Sequence, residues 1–111
     1  MIIDLQKYPM VEARQNTPFF ADLFPSDQNK FMTVDGTPMS HGLWNMIVSH
    51  RDLKIWCRLG MKPNRGWKVA DCKKYFGLKG SGPKLLNQFE TLKAEVDEII
   101  ELVRADANAN G

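Results

Sequence analysis

Residues 83–105, "PKLLNQFETLKAEVDEIIELVRA", decide how this chain folds. Leu85, Phe89, Leu92, Val96, Ile99 and Val103 recur at intervals of 4, 3, 4, 3 and 4 residues. That spacing predicts a long amphipathic helix carrying nearly three heptads of apolar seam. Leu86, Ile100 and Leu102 widen the stripe. A stripe of this breadth usually packs inside its own domain, and the other use of such a seam is a homodimer through helix 83–105. Beyond it, residues 106–111 have nothing to bury and are expected to fray.

Working outward, Gly77 and the "KGSG" turn at 79–82 separate this helix from a short one expected over about Lys68–Phe76. A longer helix is expected from Ser40, its N-cap, to the stop at Gly60 and Pro63. Its apolar residues Leu43, Trp44, Ile47, Val48, Ile55, Trp56 and Leu59 recur at helical spacing and are read as its core face. Residues 1–39 are interrupted by Pro9, Pro18, Pro25 and Pro38, so they form an irregular, proline-rich and aromatic arm. Within it Thr17 and Pro18 open a turn or two of helix, whose Phe19, Phe20, Leu23 and Phe24 should anchor the arm to the core. "FMTVDGTPMS", residues 31–40, has an Asp35-Gly36 turn signal but no evident partner strand, and an extended arm is expected. The expected fold is therefore mainly α: one small helical domain over 40–105, with the arm 1–39 packed on it and the tail 106–111 beyond.

The net charge of +2 conceals an uneven distribution. Between Arg51 and Lys84 stand ten basic residues (Arg51, Lys54, Arg58, Lys62, Arg65, Lys68, Lys73, Lys74, Lys79 and Lys84) against Asp52 and Asp71, a net of +8. The rest of the chain holds five basic and eleven acidic residues, a net of −6. A basic block inside acidic flanks points to an anionic partner. No apolar run approaches the roughly 20 residues that cross a bilayer, and the N-terminus has no signal-peptide pattern, so a cytoplasmic protein without membrane contact is expected. Cys57 and Cys72 stand outside any ligand spacing and are read as reduced core thiols.

Val69, Ala70, Asp71, Cys72 and Lys73 form a run that is followed by Gly77 and Leu78 and then by Ser81, Gly82 and Lys84. In that run and those intervals, residues 69–84 resemble a SAP module, the small helix, extended turn, helix unit that binds DNA. The resemblance covers about a fifth of the chain and implies a helix-turn-helix-like DNA-binding unit.

The residues themselves carry the same expectation. A glycine-rich turn before a helix presents backbone N–H groups at a positive helix end, which suits a phosphate. The expected contacts are therefore Lys73, Lys74, Lys79, Gly80, Ser81, Gly82 and Lys84, with Arg51, Lys54, Arg58, Arg65 and Lys68 extending the footprint. Trp67 and Tyr75 stand among these lysines, where an aromatic ring can stack on an unpaired base or serve as ordinary core. The ligand expected is nucleic acid, DNA ahead of RNA, held chiefly by phosphate contact. His41 and His50 lack the spacing of a metal pair, and no nucleophile triad or phosphate-binding loop motif occurs, so neither enzyme nor cofactor is expected. Two other classes fit the composition: a small adaptor or inhibitor docking on an acidic protein, and a structural subunit of a larger assembly such as a phage particle.

Overall fold

The long C-terminal helix is α5, Gly82–Asn110, in the computed structural model, which describes residues 3–24, 33–34, 37–38 and 41–110. At about 1.5 Å per residue its 29 residues account for most of the molecule's 46 Å long axis. It outruns the expected end at Ala105, because Ala105, Ala107 and Ala109 favour helix more strongly than any other residue type. Leu85, Phe89, Leu92, Val96, Ile99 and Val103 are all buried, so the seam faces the chain's own core. Leu102 is exposed and does not widen it.

The molecule is mainly helical. Preceding α5 are a 3-10 turn at Leu5–Lys7, α1 at Pro9–Glu12, α2 at Pro18–Leu23, α3 at His41–Leu59 and α4 at Val69–Phe76. The N-terminal segment contributes Ile3, Leu5, Tyr8, Val11, Phe19, Leu23 and Phe24 to the same apolar cluster that the α5 seam completes. Phe20 packs half-buried against it. The local reasons match the sequence signals: the Thr17 hydroxyl accepts from the Phe20 N–H at 3.2 Å, and Pro18 opens α2. Glu95 on α5 ties down the preceding helix, its carboxylate accepting from the N–H groups of Met10 at 3.0 Å and Val11 at 3.1 Å. A carboxylate at those first-turn donors satisfies groups that have no partner within α1.

The described residues within 31–40 differ from the expected extended arm. Thr33–Val34 (β1) pairs antiparallel with Thr37–Pro38 (β2), Thr33 opposite Pro38 and Val34 opposite Thr37. The missing partner strand thus lies only two residues further along the chain. The Asp35-Gly36 turn and the Ser40 cap lie outside the described residues.

The largest departure concerns α3, whose limits fall where expected but whose core face does not. Trp44, Ile47 and Leu59, read as core, are exposed, while Leu43, Val48, Ile55 and Trp56 are only half-buried. The buried line is Gly42, Met46 and Leu53, flanked by half-buried Ser49 and Cys57. Gly42 explains the choice: a Cβ built there would lie 2.7 Å from the Leu23 backbone nitrogen, so α3 approaches α2 backbone to backbone. That approach turns the line of Gly42, Met46 and Leu53 inward and Trp44 outward.

Candidate nucleic-acid interface

The α4–α5 turn is built by residues with little conformational choice. Gly77 ends α4 in the left-handed region, φ 69°, where its N–H reaches the Lys73 carbonyl. The Leu78 N–H reaches the same carbonyl at 2.8 Å, and Leu78 buries itself in the core. Gly80 and Gly82 also hold positive φ, 90° and 58°. Between them and α5, Gln88 grips the Lys79 peptide from both sides. Its Oε1 accepts from the Lys79 N–H at 3.2 Å, and its Nε2 donates to the Lys79 carbonyl at 3.0 Å. The same Oε1 accepts from Arg14 Nη2 at 3.3 Å, so the turn is tied to the N-terminal segment as well. Lys79, Gly80, Ser81 and Lys84 are exposed on this braced turn, beside the first turn of α5, whose leading N–H groups have no partner within the helix.

A second group of predicted residues gathers around α3. Arg51 and Arg58 are exposed and Lys54 half-buried. Trp44, Ile47, Arg51 and Arg58 follow one another at intervals of 3, 4 and 7, which puts the aromatic ring and both guanidinium groups on one helix face. Beside this face, with Trp44 shared between them, a cleft of about 420 Å³ lies between α3 and α4. From α3 it is lined by Trp44, Asn45, Val48, Ser49 and Asp52, and from the facing segment by Trp67, Lys68, Asp71, Cys72 and Tyr75. Trp56 packs on Trp67 with ring centroids 5.6 Å apart, so all three tryptophans of the chain stand at or behind this cleft.

Hydrogen bonds fix the cleft walls. The Tyr75 hydroxyl donates to Asp22 Oδ2 at 2.7 Å and accepts from Asn45 Nδ2 at 2.9 Å, joining α2, α3 and α4. Burial, reinforced by the Asp22 carboxylate and opposed by the Asn45 N–H, pushes the phenol up to about 12. Cys72 is pushed up to about 12 as well, first by burial and then by the nearby Asp52 carboxylate, against a hydrogen bond with Ser49. It is an inert thiol at neutral pH. Asp52 is buried, its side chain 9% exposed, and its Oδ1 accepts from Arg51 Nε at 3.3 Å and Nη2 at 3.2 Å.

Of the residues expected to touch an anion, Trp67 and Lys68 line the cleft and Arg51 joins it through Asp52. Lys79, Gly80, Ser81, Gly82 and Lys84 form the turn, whereas Lys73 is half-buried on α4 and Lys74 exposed there. Arg65 is exposed in the loop before Trp67, where Asn64 Oδ1 accepts from the Gly66 N–H at 3.1 Å. Sequence reasoning missed Trp44, Asn45 and Asp52 as parts of a site. Among the described residues, no cluster of His, Cys, Asp and Glu could hold a metal ion, and no helix is long and apolar enough to cross a membrane. No family model, curated protein or solved structure matches the chain.

Proposed function

We propose that this protein binds nucleic acid, DNA ahead of RNA, through phosphate contacts made by its basic segment. The observation that carries this reading is a set of cations that, Arg51 apart, have no carboxylate partner among the described residues. Eight of the ten basic residues between Arg51 and Lys84 are exposed, and among the described residues only Arg51 has a carboxylate within ion-pair distance. On α5, by contrast, Lys93 pairs with Asp97 at 2.9 Å and Arg104 with Glu101 at 3.7 Å. A net +8 left unneutralised on ordered elements is a surface prepared for an external anion. The braced turn at 79–84 adds backbone N–H donors at the start of α5, and its Ser81, Gly82 and Lys84 are among the residues of 69–84 that resemble the SAP module.

The test is the Lys79→Ala, Lys84→Ala double variant. Loss of two phosphate contacts should weaken binding to any sequence and reduce the salt slope of log K by about 1.4 to 1.8. Affinity and slope equal to those of the parent would count against the turn. The rival, an adaptor on an acidic protein, draws on exposed Leu59 and Met61 beside Arg58 and Lys62. It is distinguished by indifference to bare nucleic acid at physiological salt.

A further inference from the structure

We infer that the cleft between α3 and α4 receives an unpaired nucleobase, guanine foremost, so that the chain prefers single-stranded nucleic acid to duplex. This inference rests on the nucleic-acid reading above and adds to it what the cations alone cannot supply. Phosphate contact is blind to strandedness, whereas a base can enter a cleft only after it leaves its stack.

Three observations converge on a base. The first is aromatic: Trp44 stands 63% exposed at the mouth, and Trp67, braced from behind by Trp56, lies on the other wall. An indole held in water at such exposure is costly for an ordinary surface residue and suited to a stacking partner. The second is the polarity of the lining. Asp52 and Asp71 both line the cleft and are acceptor-only carboxylates, so a phosphate is repelled from the interior while a group bearing N–H donors is drawn to it. Asp52 is the sharper of the two. Its side chain is nine-tenths buried, Arg51 occupies Oδ1, and Oδ2 takes none of the described hydrogen bonds. Guanine presents N1–H and the N2 amino group side by side on its Watson–Crick edge, so two donors can converge on Oδ2, which Arg51 leaves open, against the single N3–H of thymine or uracil.

The third observation is the arrangement of charge. Arg51, with a side chain 70% exposed, and Lys68, exposed on the opposite side, are cations at a cleft that is otherwise acidic and aromatic. Cations outside and acceptors within sort a nucleotide into its two halves, the phosphates held at the rim and the base inside. The cleft volume of about 420 Å³ admits a purine with room for water.

Because all three tryptophans belong to this site, their fluorescence reports directly on its occupation. The experiment titrates the full chain with oligothymidylate, the same strand carrying one guanine, and a hairpin duplex, reading quenching together with affinity. We expect strong quenching by the single strands, tighter binding of the guanine-containing strand, and at least about tenfold weaker binding of duplex. Trp44→Ala, at an exposed position that leaves the core untouched, should lower single-strand affinity about tenfold and leave duplex affinity unchanged. Duplex and single strand bound equally well, with Trp44→Ala silent, would overturn the cleft assignment and leave the phosphate reading standing. No binding of any of the three ligands at low salt would overturn both. Equal affinity for the two single strands, both above duplex, would overturn the guanine preference.

Discussion

Gly42 is the residue on which the α2–α3 packing turns. The added methyl of alanine would sit 2.7 Å from the Leu23 nitrogen and 3.0 Å from the Asp22 carbonyl carbon, and backbone atoms cannot swing aside as a side-chain end can. Gly42→Ala should therefore destabilise the fold by about 1–3 kcal/mol, read as a lower midpoint in urea unfolding, although alanine is the better helix former. At Cys72 and Tyr75 the same burial produces a pH dependence. The folded chain holds the Cys72 thiol up to about 12 from 9.0, and the Tyr75 phenol up to about 12 from 10.0. Above the ordinary values the unfolded chain has released protons that the folded chain retains, so raising the pH favours unfolding. The stabilisation is complete below pH 9 and is lost as the pH climbs toward 12. A thermal melt series should show Tm falling across that window, with Tyr75→Phe making the fall shallower between 10 and 12. A Tm indifferent to pH up to 12 would contradict the burial of both groups.

At the scale of elements, the α4–turn–α5 unit depends on one clamp. Gln88→Ala removes both hydrogen bonds to the Lys79 peptide and the contact with Arg14, so the amide hydrogens of the turn should exchange faster while the α5 seam stays protected. How well each element could be foreseen follows from how much of its environment is local. The seam of α5 was legible because six apolar residues at heptad spacing leave a helix one face to bury. Likewise α2 and α4 announced themselves through Thr17, Pro18 and Gly77, signals that act within a turn of the chain. The core face of α3 was not legible from hydrophobicity, since three of its large apolar residues, Trp44, Ile47 and Leu59, face water. What selects the buried line is the close approach of α2, a tertiary contact that Gly42 permits and that no count of apolar residues reveals. A signal existed nonetheless. Trp44 and Ile47 share helical phase with Arg51 and Arg58, and a face bearing two arginines is a poor candidate for a core. The turn lysines were visible as a composition, whereas the cleft was not, because Asp52, Asp71, Trp44 and Trp67 meet only after α3 and α4 pack.

For the whole molecule, the governing feature is the separation of charge along the chain. The acidic flanks supply Glu95 to cap α1, Asp22 to hold Tyr75 and Glu90 to meet His50 at 3.1 Å. The basic segment between Arg51 and Lys84 spends almost none of its charge internally. An aromatic and acidic cleft draws one wall from that segment, lined by Lys68 and linked to Arg51 through Asp52, and the braced turn at 79–84 lies at the segment's C-terminal end. The measurement that tests the nucleic-acid reading most directly is fluorescence anisotropy of labelled single-stranded and duplex DNA titrated with the protein at two salt concentrations. The account predicts binding to both that falls steeply as salt rises, with the single strand bound the more tightly. Absence of binding at low salt would contradict it and leave the exposed lysines and arginines as a solvated or protein-docking face.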